Sequence, residues 1–241
     1  MSKQHLSYKI IGTGSKGNAL YLACGEHKVL IDIGVPYKAI NSLEIDYVLL
    51  THSHRDHLNE ATIKRLAYEN PSIKFFCTKY LVQTLIRCGV DVSNIYFKPH
   101  IEVGSLTLNR FNLIHDVPNC GWKLKFKDGK QKLKVFYATD TASLDHVSAI
   151  GFDYYFIEAN YDEDEIVKLI KEKVDSGEYS YERRVVDTHL SKQKADKWLA
   201  NNVNDNSVND NSVYVYIHEH SDAHERKEVE DERSSTNRQI G

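Results

Sequence analysis

A chain of 241 residues with 41% apolar side chains can fill a sizeable core, as one large domain or two small ones, which excludes a wholly disordered polypeptide. Its 31 basic and 34 acidic residues leave a formal charge of -3, so bulk charge forbids no polynucleotide partner but recruits none. Four scattered cysteines (Cys24, Cys77, Cys88, Cys120), no basic-then-apolar leader and no apolar run of membrane-spanning length suggest a reduced, cytoplasmic protein with no membrane partner.

In chain order, Tyr8-Lys9-Ile10-Ile11, Ala19-Leu20-Tyr21-Leu22 and Lys28-Val29-Leu30-Ile31-Asp32 read as three strands, the first two joined by a glycine-rich turn over 12–18. Tyr47-Val48-Leu49-Leu50-Thr51 is a short continuous apolar run, hence a buried strand, and it stops at His52. A helix is expected over 59–69, a strand over 73–77 and a second helix over 79–88, ending at Gly89. The second half repeats the order. Strands are expected over 106–114, 122–126, 133–137 and 154–157, helices over 163–175 and 191–201, and a last strand over 213–217. Strands followed by helices in each half predict two sheets with helices outside, an α/β sandwich of four αββα layers. Residues 1–221 are read as one domain. The charged, apolar-poor stretch 222–241 is read as a disordered tail, and the tandem Asn-Asp-Asn-Ser-Val beginning at Asn204 as a surface loop.

Metal-capable side chains fall where these strands end. His52, His115, Asp140, Glu158 and His218 close or follow apolar runs, and strand ends on one rim of a sheet can converge on one pocket. His52 and His54, two apart, point to one side of extended backbone and can grip one ion; Asp56 and His57 follow at the turn into the helix and would face a second. Imidazole and carboxylate donors suit zinc, manganese or iron. Two carboxylates only partly offset two divalent ions, leaving a positive centre suited to an anionic substrate.

The segment His52-Ser53-His54-Arg55-Asp56-His57, with a later His115, Asp140 and His218, resembles the metallo-β-lactamase fold superfamily. The resemblance runs over residues 8–221. It implies one metal on His52, His54 and His115, a second on Asp56, His57 and His218, and Asp140 between them; the ions would be zinc, with manganese as the alternative. Gly12 to Ala19, Leu30 to Gly34, Ala138-Thr139-Asp140-Thr141, Glu158-Ala159-Asn160 and His189-Leu190-Ser191 resemble the phosphodiesterase side of that superfamily. That side includes tRNA 3′-processing endonucleases, small bacterial exonucleases and phage anti-Pycsar enzymes. It implies His189 as the acid that protonates the leaving oxygen, oriented by Glu158, with Asp56 counted among the catalytic residues. His220 is the alternative to His218 as last ligand.

The expected substrate is a small cyclic nucleotide, cyclic CMP or cyclic UMP first, in a phage immune-evasion enzyme that works as a homodimer in the host cytoplasm. The asparagine-, lysine- and tyrosine-rich composition agrees with such an origin. A DNA exonuclease or tRNA 3′-processing nuclease with the same site is the alternative, and a non-catalytic nucleotide-sequestering protein a third reading. Asp32 is expected to anchor the metal loop by hydrogen bonds rather than to ligate. The lysines between 123 and 134 are expected on the solvated face of a hairpin, and His5, His27, His100, His146 and His224 at the surface.

Overall fold

The computed structural model describes residues 6–128, 131–203 and 212–218. His5, His220, His224, the tandem repeat up to Asn211, the Asp128-Gly129 turn and the charged tail therefore lie outside the described residues. Two mixed six-stranded sheets carry the fold. The first has the order β1 (Ser7–Gly12), β2 (Ala19–Cys24), β3 (His27–Ile31), β4 (Tyr47–Leu49), β5 (Lys74–Phe76), β6 (Ile95–Tyr96). The second runs from β7 (His100–Val103), β8 (Leu106–Leu113) and β9 (Asn119–Asp128) through β10 (Gln131–Ala138) and β11 (Tyr154–Glu158) to β12 (Val213–Ile217). The helices are α1 (Glu60–Glu69), α2 (Val82–Arg87), α3 (Glu163–Ser176), α4 (Glu182–Thr188) and α5 (Lys192–Val203). The expected two-sheet α/β architecture is the observed one.

By compactness the chain divides into one unit of Met1–Asn112 with Val117–Leu133, and another of Leu113–Asp116 with Lys134–Gly241. In the first, β1, β2 and β3 pair antiparallel, while β3, β4, β5 and β6 pair parallel. One face of this sheet buries Val48, Leu50, Phe75 and Cys77 against Ile63, Leu66 and Ala67 of α1 and Leu85 of α2. The apolar stripe of α1 fits its 3.6-residue period, and Asn59 caps its start by accepting from the Thr62 amide at 3.1 Å. The other face meets β9 of the same unit: the Cys120 thiol reaches Thr51 O at 3.3 Å, and the His27 and Phe126 rings lie 6.0 Å apart.

His27 corrects the sequence reading. It is buried, its Nε2 2.7 Å from Ser105 Oγ and its ring 5.8 Å from that of Tyr47. It shares an inward face of β3 with Val29 and Ile31, and the two-residue period of a strand overrides the polarity of one imidazole. As expected, His100 and His146 are exposed, and Leu124 and Phe126 are buried between more accessible Lys123, Lys125 and Lys127.

In the second unit β10, β11 and β12 pair parallel. Trp198 of α5 covers this sheet, stacked on Phe136 at 4.8 Å and edge-on to Tyr155 at 6.2 Å. Its indole donates to Val147 O at 2.8 Å, while Asn202 Oδ1 accepts from the Ala149 amide at 2.6 Å. Both bonds pin the loop that leaves β10. Trp198→Ala is expected to cost about 3–5 kcal/mol in a denaturant titration, since it opens a cavity and strips a buried carbonyl of its donor.

Helix α4 is absent from the sequence reading. Seven residues, three of them β-branched, carry little intrinsic helix signal. Packing makes the helix: Val185 joins Tyr161 and Ile166 in a small apolar cluster.

Candidate metal centre

Parallel pairing in register puts successive strand ends on one rim, where ligand sites of open α/β sheets gather. In the first unit Ile31 pairs with Leu49, so Asp32 and the Leu50-Thr51-His52 segment emerge side by side. In the second, Ala138 pairs with Ile157 and Glu158 with Ile217, which aligns Asp140, Glu158 and His218.

Asp32 is the hub of the first group. Fully buried, it accepts from the Thr51 amide at 2.9 Å, from the Thr51 hydroxyl at 2.9 Å and from His57 Nδ1–H at 2.8 Å. With its hydrogen given to Asp32, the Thr51 hydroxyl accepts from His52 Nδ1–H at 3.0 Å. Both imidazoles are thereby fixed as tautomers whose Nε2 is a lone-pair donor, the form a divalent cation needs. The His52 ring lies 4.8 Å from that of His54 and 4.3 Å from that of His57, and Asp56 Oδ2 is 3.6 Å from His57 Nε2. Asp32 has the anchoring role expected of it.

The turn that places Asp56 and His57 is stapled from two sides. The Ile33 amide donates to His57 O at 2.9 Å, and the Asn18 amide to Asp56 O at 2.6 Å. The Asn18 carboxamide also reaches in. Its Nδ2 is 3.0 Å from Gly14 O and 2.8 Å from His57 Nε2, the same lone pair a cation would use. The structure thus gives the glycine-rich turn a task beyond reversing the chain. Gly34 must be glycine, because a Cβ there would lie 1.7 Å from Asp56 O and 2.6 Å from Asn18 N. Gly34→Ala is expected to destabilise the fold by at least about 3 kcal/mol, with loss of bound metal, measured by denaturation and elemental analysis.

Glu158 is the hub of the second group and mirrors Asp32. Its Oε1 accepts from His189 Nδ1 at 2.6 Å and His218 Nδ1 at 3.0 Å, and its Oε2 from the Thr141 amide at 2.9 Å and the Leu190 amide at 3.2 Å. Burial pushes its pKa up, but the two imidazole bonds outweigh that and hold it below the usual carboxylate range. For His189 burial favours the neutral ring, yet the hydrogen bond and charge of Glu158, joined by Asp140, raise the pKa above its ordinary value. His115 goes the other way, lowered chiefly by burial, and its Nδ1–H donates to Thr188 O at 3.0 Å. Asp140 Oδ1 lies 3.5 Å from His189 Nδ1, 3.6 Å from His218 Nδ1 and 3.9 Å from His115 Nε2. One donor atom each from Asp140, Glu158, His189 and His218 falls within 4.8 Å of the others.

Three residues of these groups hold left-handed backbone: Asp32 at φ 60°, Asp140 at φ 55° and His218 at φ 56°. Such conformations cost about 1–3 kcal/mol each and persist where surrounding structure enforces them, often at functional sites. At His218 the enforcement is visible, since Asn160 Nδ2 donates to its carbonyl at 3.1 Å. Sequence reading had no access to this strain.

The donor set passes a chemical test for divalent cations. Imidazole nitrogens and carboxylate oxygens are gathered, Nδ1 of His57, His115 and His218 is each held by an oxygen, and the four cysteines are buried, with burial pushing the Cys77 thiol up to about 12.

A profile of the family described as Beta-lactamase superfamily domain matches residues 33–202. The chain belongs to the metallo-β-lactamase superfamily. It is a metal-dependent hydrolase of that fold. It is similar to Exodeoxyribonuclease WalJ of Streptococcus pneumoniae, 28% identical over 201 residues that cover 75% of this chain and 69% of the relative. Exodeoxyribonuclease YycJ of Bacillus anthracis is 25% identical over 170 residues, 65% of this chain and 64% of that one. Among solved structures, the metallo-β-lactamase fold protein YhfI of Bacillus subtilis superposes with a TM-score of 0.63 at 15% identity, over 90% of this chain and 87% of that chain. No helix among the described residues is long and apolar enough to cross a membrane.

Proposed function

We propose that this metallo-β-lactamase-fold hydrolase is a phosphodiesterase that cleaves DNA from an end, and that its two donor groups act as one dinuclear centre. His52, His54 and His115 would hold one ion and Asp56, His57 and His218 the other, with Asp140 between them. The observation that carries the phosphodiesterase reading is the His189–Glu158 pair, an imidazole fixed through Nδ1, packed beside Asp140, with its pKa raised by the hydrogen bond and charge of Glu158. Hydrolysis of a phosphodiester expels an alkoxide, which needs a proton from such an acid. His189 supplies it from Nε2, while Glu158 fixes the ring orientation and stabilises the charged form. Divalent cations held by these residues would supply an activated water and offset charge on the phosphoryl oxygens.

Two sequence relatives named as exodeoxyribonucleases favour DNA as substrate over the cyclic mononucleotide expected from sequence. The cyclic mononucleotide stands as the second reading, supported by the formal charge of -3. Purified protein with Zn²⁺ or Mn²⁺ is assayed on single-stranded DNA, pre-tRNA and a panel of cyclic nucleotides. Release of mononucleotides from DNA, with KM rising steeply as salt is added, is the expected result. Turnover of cyclic CMP or cyclic UMP alone, indifferent to salt, selects the second reading. Prolonged incubation that leaves every phosphodiester intact rejects both in favour of sequestration.

A further inference from the structure

Helix α4 does more than deliver His189. Arg184 and Thr188 are one turn apart on the same face of it, and the Thr188 hydroxyl donates to Arg184 O at 2.7 Å. That face is turned toward the segment carrying His115. Thr188 O accepts from His115 Nδ1–H, and the Arg184 guanidinium pairs through Nη2 with Asp116 Oδ2. The other carboxylate oxygen of Asp116 lies 3.1 Å from His115 Nε2. Asp116 therefore bridges the residue read as a metal ligand and an arginine five residues upstream of the residue read as the acid.

The pairing aims Arg184 without enclosing it: 67% of its side chain stays exposed, and only Nη2 goes to Asp116. A guanidinium carries five donors in a planar fork suited to phosphate oxygens. Five residues of helix rise about 7.5 Å, of the order of the step from one phosphate to the next along a nucleic-acid strand. Neither donor group described above needs an arginine at this place.

We propose that Arg184, held by Asp116, is a phosphate-binding residue that takes the nucleotide phosphate next to the scissile one. This deepens the proposed function and rests on its polynucleotide reading, since a cyclic mononucleotide has no neighbouring phosphate to offer.

The test is binding of a 5′-phosphorylated single-stranded oligonucleotide by anisotropy across a salt series, beside turnover of bis(p-nitrophenyl) phosphate, which has one phosphate. Wild type, Arg184→Ala and Arg184→Lys are compared. Arg184→Ala is expected to bind about tenfold more weakly, with a log–log salt slope smaller by about one. Arg184→Lys should keep the slope and recover part of the affinity, while bis(p-nitrophenyl) phosphate turnover and metal content stay at wild-type values in both. Unchanged binding in Arg184→Ala, or no oligonucleotide binding by wild type, overturns the subsite. An equal fall in aryl ester turnover and metal content also overturns it, because it reveals a structural role through Asp116 and His115. A wild type that hydrolyses bis(p-nitrophenyl) phosphate but does not need Arg184 for DNA loses the subsite and keeps the phosphodiesterase. One that needs Arg184 for DNA but hydrolyses no phosphodiester does the reverse.

Discussion

His189→Ala is expected to slow hydrolysis of DNA by about 10²–10⁴-fold while leaving bound metal unchanged. Glu158 already holds His189 Nδ1 at 2.6 Å, so Nε2 is the atom left to carry a proton to a leaving group. An alkoxide leaving group needs that proton; p-nitrophenolate departs without it. The loss should therefore be large on DNA and within about tenfold on bis(p-nitrophenyl) phosphate, because a missing general acid is felt in proportion to leaving-group basicity. Equal losses on both substrates would assign His189 to metal binding or folding instead.

Asp32→Ala should have the larger effect on the protein itself. Removing the carboxylate strands the Thr51 amide, the Thr51 hydroxyl and His57 Nδ1 in a fully buried place, and releases the tautomers of His52 and His57. Hydrogen bonds to a charged acceptor are worth about 1.5–3 kcal/mol each and are not additive, so a destabilisation of about 3–5 kcal/mol is expected on urea titration. Metal affinity should fall by about 10–100-fold, the usual effect of losing the group that orients a ligating histidine. Asp32→Asn tests the cause. It keeps the volume and can still accept from Thr51, so more of the stability than of the metal affinity should return. Wild-type metal affinity in Asp32→Ala would remove Asp32 from the centre.

The positions proposed as ligands could be read in the sequence because strand ends are legible. Continuous apolar runs such as Tyr47 to Leu50 and Tyr154 to Ile157 announce buried parallel strands, and the polar residue after each run stands out. What followed from tertiary packing did not show. Helix α4 has too few residues and too many β-branched ones to announce itself, so Thr188 and Arg184 went unread although His189, at its end, did not. His27 was misplaced because its inward register is set by β3 pairing, not by its own polarity. The left-handed backbone at Asp32, Asp140 and His218 is likewise a product of assembled loops. Substrate choice was least legible: near-neutral charge suggested a small anion, and the exposed guanidinium beside the His115 segment, on which the proposed phosphate subsite rests, is invisible in a charge total.

The central claim is that donors carried by separate parts of the chain complete one two-ion centre. Elemental analysis of wild-type protein beside His115→Ala and Asp56→Ala, each confirmed folded by circular dichroism, tests it most directly. Two divalent transition-metal ions per wild-type chain, falling to one or fewer in each variant, is the result expected. A folded wild type that carries no such ion, or a count that neither substitution alters, would contradict the account.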